Sequence, residues 1–550
     1  MEKSFLNNTI GDWMDKMAAE YPDNDALVYP DRGLRLSYKQ LNEKARETAK
    51  GLMALGISKG DHVAVWAPNY PEWVYTLFGC AKLGAIVVTV NTNYKIFELE
   101  YLLRQSDSKM LVFSDGAKNI EYTPILRELC PELEILPPDE FSSERLPILR
   151  RLVHLPKNNS ATGLAGTQTF DDMLKAGESI PDCELDAIQA SLDPHEVINL
   201  QYTSGTTGFP KGVMLTHYNI LNNGYFIGEG MKFTHKDRLC IPVTFFHCFG
   251  LVLSIMACIT HASTMVPVET FTPLGVLEAV QAEKCTALHS VPTMFIFILD
   301  HPDFAKYDVS SLRTGIMAGA NCPVELMRRC TDQLYMKEIV SVFGQTECSP
   351  GMTMSRTDDP LEKRVSTVGC LLPYAEGKVI DPETGAICPP GVPGEICTRG
   401  YHLMKGYYKM PEATAAAIDE DGWLHTGDIG ICDEEGYYSI TGRIKDMIIR
   451  GGENISPREI EELLYRHPAV KDVQVVGVPS KKFGEEVCAY IILKDGEAVN
   501  EQNIKDFVAE RMSRHKVPAY VIFTDSFPMT ASGKIQKYKM RDHAMEVLKL

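Results

Sequence analysis

Tyr202-Thr203-Ser204-Gly205-Thr206-Thr207-Gly208-Phe209-Pro210-Lys211-Gly212 lies between two short apolar runs, and its reading decides the fold. Val197 to Tyr202 predicts a strand that enters a loop. Val213-Met214-Leu215 predicts a second short strand, and Thr216 is placed to cap a helix beginning near His217. The loop between them offers four Ser/Thr hydroxyls, flexible backbone at Gly205, Gly208 and Gly212, and one cation. Glycines let backbone N–H groups turn toward an anion and hydroxyls add donors, which is the equipment for holding a polyphosphate. A Walker-type loop is excluded. Lys211 follows Pro210 and precedes Gly212, so the Mg²⁺-binding hydroxyl after the lysine is missing, and the next element reads as a strand. A solvated linker has a similar composition, but the flanking apolar strands argue against one.

Outward from the loop, 550 residues is too long for one simple core and implies several subdomains. A formal charge of −18 argues against nucleic acid, which needs a basic surface. The acidic excess lies before Asp446, since the remainder carries 16 basic and 16 acidic residues. Within it Arg511 to Arg541 is basic, which a solvated face explains as well as a phosphate-facing one. Fifteen cysteines, an odd number without a C-x-x-C pair, fit neither a zinc site nor a disulfide framework and point to a reducing cytoplasm. Met1 to Trp13 has no apolar core of a secretory signal. Leu239 to Val268 lacks Asp, Glu, Lys and Arg, but Pro242, His247, Gly250 and His261 divide it, so a buried strand, loop and helix is expected instead of a membrane span. Peripheral membrane contact stays open.

Tyr38 to Leu55 has a helical pattern stopped by Gly56, Asp61 to Ala67 reads as a strand, Pro71 to Leu83 as a helix and Ala85 to Val90 as a strand. That βαβ rhythm implies parallel pairing. No G-x-G-x-x-G follows these strands, so a dinucleotide fold is not indicated. Residues 131–194, with Pro-Pro, Asn-Asn-Ser and little periodicity, read as a connection over the surface. Near the end, Glu459 to Leu464 and Gln502 to Met512 read as helices, and Val473 to Val478 and Val487 to Ile492 as strands.

Thr203 to Lys211 resembles the signature loop of the adenylate-forming superfamily, which includes acyl-CoA synthetases, peptide-synthetase adenylation domains and beetle luciferases. The resemblance is strongest to medium- or long-chain fatty acyl-CoA synthetases, and further motifs follow in the family's order. Ile241 to His247 resembles a motif whose His borders the carboxylate substrate. Thr314 to Asn321 is similar to a strand and small-residue turn (Gly319, Ala320, Asn321) that lays its backbone against adenine. Val342-Phe343-Gly344-Gln345-Thr346-Glu347 resembles the next nucleotide motif, with Phe343 (more often Tyr in the family) against adenine, Thr346 on the α-phosphate and Glu347 on Mg²⁺. Trp423 to Asp428 and Gly442 to Ile455 resemble two more. They imply Asp428 and Arg443 on the ribose, Lys445 at a hinge, and Gly451-Gly452 beside the pantetheine arm, although a hairpin explains that glycine pair equally. Pro528 to Ile535 resembles the last motif and implies Lys534 as the adenylation lysine.

What the resemblance implies is an α/β fold, mixed α+β. A large N-terminal domain with βαβ layers would span 1–444, and a small, mobile α+β C-terminal domain 445–550. The implied activity is an AMP-forming acid–CoA ligase using ATP, Mg²⁺ and coenzyme A on a small-molecule carboxylic acid, expected to be a medium- or long-chain fatty acid. An aryl-acid ligase, a carrier-protein-loading enzyme and a degenerate nucleotide-binding regulator are the alternatives. The implied catalytic set is Thr206, His247, Glu347 and Lys534, with Thr206 and Glu347 at the metal. The loop Thr203, Ser204, Gly205, Thr206, Thr207, Gly208, Phe209, Pro210 and Lys211 would hold the β- and γ-phosphates. Phe246, His247, Gly319, Gly344, Cys348 and Pro350 would wall the acid, with no cation to receive a second carboxylate.

Overall fold

Ser37 caps the helix Tyr38–Ala54 through a capping box with Gln40, and Leu41, Ala45, Thr48, Ala49 and Leu52 give that helix a continuous buried face. Pro71 opens the helix Pro71–Leu83 and Gly84, at φ 75°, closes it in the left-handed conformation. The strands between such helices are buried on both faces, which is why His62–Trp66 reads as an unbroken apolar run after its histidine. Inside this packing Lys82 is fully buried. Its ammonium sits 2.7 Å from Asp15 of the helix Ile10–Glu20, tying two helices together by an ion pair that would be costly to break.

These elements belong to a computed structural model that describes residues 4–156, 162–203, 210–320, 322–443, 446–450, 453–512, 514–530 and 535–550. It is a mixed α/β chain of two compact units. The first comprises Met1–Val365, Leu371–Ala375 and Arg399–Gly422; the second comprises Ser366–Cys370, Glu376–Thr398 and Trp423–Leu550.

The first unit is built on two sheets. One runs in the order Gly406–Tyr407, Lys211–Thr216, Val197–Thr203, Ile86–Thr89, His62–Trp66, Ser108–Ser114, Arg151–Leu155 and Gln168–Thr169. It is parallel from Val197–Thr203 onward and antiparallel at its first two steps. The other contains Gly351–Met354, Glu338–Gly344, Thr314–Ala318, Ala287–Leu288, Arg238–Ile241, Thr264–Pro267, Asp25–Tyr29 and Leu34–Ser37, in that order. Residues 131–194 overturn the expectation of a surface connection. Arg151–Leu155 is a strand parallel to Ser108–Ser114 with Leu152, Val153, His154 and Leu155 buried, and helices Phe170–Gly177 and Asp182–Gln189 follow. Four residues between arginines and a proline are too few to set up a visible period, and the partners that bury them are distant in sequence.

The charge-free stretch 239–268 folds as expected: a strand, the turn bearing His247, a π-helical segment Phe249–Met256 running into Ala257–Thr260, and the strand Thr264–Pro267. Among the described residues no helix is long and apolar enough to cross a membrane.

Four strands, Ala375–Ile380, Gly394–Gly400, Leu424–Cys432 and Tyr438–Arg443, form one sheet in that order, mostly of second-unit residues, and the last three run antiparallel. The C-terminal part forms another, in which Val470–Ser480 pairs with Gly484–Leu493 and Tyr520–Phe523 adds in parallel. Helices Pro457–Leu464, Glu501–Ala509 and Lys537–Leu548 supply its remaining core, through Ile460, Leu464, Ile504, Val508, Met540 and Ala544.

Candidate active site

The strand Val197–Thr203 and the strand Lys211–Thr216 pair in register, with Thr203 opposite Lys211 and Tyr202 opposite Gly212. Ser204, Gly205, Thr206, Thr207, Gly208 and Phe209 lie outside the described residues. Thr216 caps the following helix His217–Gly230 through a capping box, as its hydroxyl predicts. The base of the loop is braced by the helix Ile96–Gln105: Tyr101 donates to the Pro210 carbonyl at 3.1 Å, and Tyr202 donates to Gln105.

Lys211 begins its strand beside Tyr407. Its ammonium lies 4.6 Å from the ring centroid, a cation–π contact. The Tyr407 hydroxyl donates to Glu347 Oε1 at 2.7 Å, and the Met404 amide donates to the Glu347 carbonyl at 2.9 Å. Tyr407 is placed by strand pairing, Val213 opposite Tyr407 and Met214 opposite Gly406, so its ring stands at the base of the signature loop. Burial, and then the Glu347 carboxylate, push the Tyr407 phenol far above its ordinary range, so it remains a donor at every working pH. Nothing local in the sequence marks Tyr407; its partner Glu347 lies 60 positions away.

Glu347 sits in a single 3-10 turn, Thr346–Cys348, that follows the strand Glu338–Gly344 and ends at Ser349 with φ 66°. Gly344 cannot be another residue: at φ 156° an added Cβ would lie 2.0 Å from the Pro350 carbonyl oxygen. Ala318 and Val342 are paired in parallel, so Gly319 and Ala320 leave the sheet beside Phe343 and Gly344. Gly319 and Ala320 are exposed, while Phe343, Gly344 and Gln345 are half-buried and Thr346 is buried. These turns stand at the carboxyl ends of parallel strands, where open α/β sheets bind ligands. Asn321 lies outside the described residues.

His247 is half-buried and its Nδ1 accepts from the Phe249 amide at 3.3 Å. Its turn is held from two sides. Buried Asn69 accepts from the Phe245 amide at 2.9 Å and donates to the Val243 carbonyl at 2.9 Å. Gln201, in the strand that leads to the signature loop, donates to the Phe246 carbonyl. Gln201 therefore links the phosphate-loop strand to the expected acid-binding turn, a role its position in an apolar run does not announce. Of the expected acid wall, Phe246 and Cys348 are buried, His247, Gly344 and Pro350 half-buried, and Gly319 exposed.

In the second unit Asp428 and Arg443 are paired across antiparallel strands, and Arg443 Nε donates to Asp428 Oδ1 at 2.7 Å. The two residues expected at the ribose thus hold each other. The backbones of Arg450 and Glu453 are paired in a second antiparallel ladder. Lys445, Gly451, Gly452 and Lys534 lie outside the described residues.

The carboxylate of Glu347, fixed at one oxygen by Tyr407, is the kind of hard donor that suits Mg²⁺ sharing its shell with phosphate, and the Lys211 cation over the Tyr407 ring suits the same polyanion. The residues present therefore fit a magnesium nucleotide.

Residues 14–408 match the AMP-binding enzyme family and residues 459–534 the AMP-binding enzyme C-terminal domain. The chain is 53% identical over 545 residues to YngI of Bacillus subtilis (strain 168), covering 99% of this chain and 98% of that one. It is 41% identical over 555 residues to the mitochondrial medium-chain acyl-CoA ligase ACSF2 of Mus musculus, covering 100% of this chain and 89% of that protein. Among solved structures, the anthranilate CoA ligase AuaEII in complex with anthranoyl-AMP superposes with a TM-score of 0.85 at 27% identity, covering 99% of both chains.

Proposed function

The chain belongs to the AMP-binding enzyme family and is an AMP-forming acid–CoA ligase, and from that premise we propose that its acid is an aliphatic monocarboxylate of medium to long chain. The observation that carries the reaction to particular residues is the cluster of Lys211, Tyr407 and Glu347 at the foot of the signature loop. When bound, Mg²⁺ supplies charge neutralisation on the phosphates. The protein's own part is positioning and electrostatic stabilisation. Lys211, together with Thr206 and Thr207, holds the β- and γ-phosphates. Thr346 donates to the α-phosphate, and Gly319, Ala320 and Phe343 border the adenine.

The acid is already ionised at neutral pH, so its activation needs no general base. A carboxylate oxygen attacks the α-phosphorus, the bond to the β-phosphate oxygen breaks, and pyrophosphate leaves an acyl-AMP. The role of Lys534 in this reading is to neutralise charge between two anions that repel as they approach. In the second half the CoA sulfur attacks the acyl carbon, the carbon–oxygen bond to AMP breaks, and the thiol proton is lost. His247 borders the acid, and Asp428 with Arg443 takes the ribose. The functional boundary of this reading is 444/445, inside the second compact unit, with Lys445 as hinge and Gly451 and Gly452 serving the pantetheine arm.

The chain preference rests on the wall of Phe246, His247, Gly319, Gly344, Cys348 and Pro350. It offers apolar or small groups and gains about 0.8 kcal/mol for each methylene buried. The likeness to the anthranilate ligase supports aryl acids as the second reading. None of the fifteen cysteines is in a disulfide, which supports the cytoplasm as the compartment. The test is kcat/KM over straight-chain acids from acetate to palmitate beside benzoate and cinnamate, with and without CoA. A rise with length to a broad plateau is expected. A sharp preference for acetate, or for an aryl acid over every alkyl chain, overturns the substrate assignment; pyrophosphate release that needs no CoA for turnover overturns the acceptor.

A further inference from the structure

Glu395, Cys397 and His425 converge on one face of the four-stranded sheet of the second unit. Glu395 and Cys397 are two apart on the strand Gly394–Gly400, so their side chains share a face. His425 lies directly opposite Cys397 on the antiparallel neighbour. The pairing then slips: Glu395 is opposite Ile429, so Thr426, Gly427 and Asp428 form a bulge between the two pairs, with Gly427 at φ 70°. The bulge tilts His425 back toward Glu395. Glu395 Oε2 lies 2.9 Å from His425 Nδ1, Cys397 Sγ lies 3.7 Å from the same nitrogen, and all three donor atoms fall within 4.8 Å of one another. Among the described residues no other three Cys, His, Asp or Glu side chains converge in this way.

The thiol and the carboxylate face the same ring nitrogen. A proton relay through a histidine uses its two nitrogens in turn, and here one Nδ1 proton can bridge only one partner at a time. A cation between the three takes all of them. With Zn–S, Zn–N and Zn–O bonds of about 2.3, 2.05 and 2.1 Å, a tetrahedral ion sets the sulfur–nitrogen edge at about 3.6 Å and the nitrogen–oxygen edge at about 3.4 Å. The first is already met, and the second needs an opening of about 0.5 Å. The carboxylate is oriented from behind, because Glu395 Oε1 accepts from the Gly427 amide at 3.1 Å, the outer support that metal-binding carboxylates use. Cys397 is fully buried and Glu395 nearly so, whereas the His425 side chain keeps a third of its surface in solvent and leaves an entry path and a fourth position for water.

We propose that Glu395, Cys397 and His425 form a three-ligand site for a zinc-class transition-metal ion, distinct from the magnesium that accompanies ATP. A thiolate and an imidazole select a borderline-soft ion and disfavour Mg²⁺. The site spans the bulge that begins at His425 and ends at Asp428, so an occupying ion ties the Thr426-Gly427 turn to the neighbouring strand.

The experiment titrates Co²⁺ into the full-length protein under excess Mg²⁺, following thiolate-to-cobalt charge-transfer absorption and the visible bands of a four-coordinate ion. One equivalent per chain is expected, displaced by Zn²⁺. Cys397→Ser abolishes the charge-transfer band. His425→Gln weakens binding by more than the roughly 10–100-fold that losing an outer support costs. Zn²⁺ slows amide exchange in a peptide spanning Thr426 and Gly427 in wild type and not in His425→Gln. Wild type without a thiolate band, or a band unchanged in both variants, overturns the site. Should Cys397→Ser fail to fold, His425→Gln decides alone, because its partly exposed ring makes it the milder change.

Discussion

Tyr407→Phe removes one hydroxyl and leaves the ring. In the structure that hydroxyl donates at 2.7 Å to Glu347 Oε1, and its own phenol is held protonated by burial and by the carboxylate it faces. A hydrogen bond to a charged group contributes about 1.5–3 kcal/mol, or roughly 10- to 150-fold in an equilibrium. A carboxylate has two oxygens with about four lone-pair directions, so Tyr407 can hold one oxygen while the other faces a metal. Losing that hold frees the Glu347 side chain to rotate, and the cost falls on the affinity for Mg²⁺. The assay is pyrophosphate release at saturating acid and ATP, with free Mg²⁺ varied. Tyr407→Phe is expected to raise the half-saturating Mg²⁺ concentration by roughly tenfold to a hundredfold, the range seen when outer supports of a metal ligand are removed. The ring still faces Lys211, so the KM for ATP at saturating Mg²⁺ changes little. Tyr407→Leu also removes the cation–π contact at 4.6 Å, worth about 0.5–2 kcal/mol, and raises the KM for ATP as well. If Tyr407 instead competed with the ion for Glu347, Tyr407→Phe would tighten Mg²⁺ binding. An unchanged or lower half-saturation therefore refutes the assignment.

Lys534→Ala is expected to slow acyl-AMP formation by about 10²- to 10³-fold while sparing thioester formation from preformed acyl-AMP and CoA; equal losses in both assays would remove Lys534 from the first step. Asn69→Ala leaves the Phe245 amide and the Val243 carbonyl buried without their partner, at about 1–3 kcal/mol for each group, so the urea midpoint should fall and the KM for the acid should rise with Mg²⁺ dependence unaltered. His217 is buried and its Nδ1 accepts from the Ile10 amide at 3.2 Å; burial lowers its pKa to about 4. The unfolded histidine binds a proton near pH 6.5, so this contribution is complete above that pH and is lost as the pH falls toward 4, on the order of 3 kcal/mol in all. His217→Gln should flatten the dependence of melting temperature on pH across that window by about one proton, and parallel slopes for variant and wild type would contradict it.

The parts of this fold that could be read from sequence are those whose cause is local. Thr216 caps the helix after the signature loop, and the extent of Pro71–Leu83 follows from the proline that opens it and the glycine that closes it. The signature loop reads as an anion cradle because glycine and hydroxyl chemistry needs no tertiary partner to be recognised, and its residues 204–209 lie outside the described residues. What could not be read depends on distant partners. Arg151–Leu155 is buried only because Ser108–Ser114 pairs with it. The two-residue strand Gly406–Tyr407 exists only because Lys211–Thr216 pairs with it, and without that strand Tyr407 has no reason to meet Glu347. The His425 side chain turns toward Glu395 because of a bulge that no periodicity of residues 424–432 reveals.

A related rule governs the buried amides of the first unit, and it connects the fold to the chemistry. Where the chain enters or leaves a regular element, N–H and C=O groups that pairing leaves over must find partners when they are buried. An Asn side chain carries one acceptor and one donor group, so it can serve a residue's N–H and a nearby C=O at once, as an adjacent strand would. Asn223 does this for Gly351, accepting from its amide at 3.0 Å and donating to its carbonyl at 2.8 Å. Asn222 does it for Leu6, at 2.8 and 3.0 Å. Asn69 spreads the same pair of functions over Phe245 and Val243 and reaches the Val268 carbonyl at 3.1 Å as well. Two of these sites adjoin expected substrate-binding turns, the one bearing His247 and the one that follows Glu347. Such turns must hold their shape before substrate arrives if positioning is to lower the barrier. If those turns bind substrate as proposed, the buried amides serve catalysis by positioning, without touching the reacting atoms. It follows that a polar residue in an apolar run, which weakens a reading of secondary structure, can be the sequence's clearest mark of a turn that has to be held still.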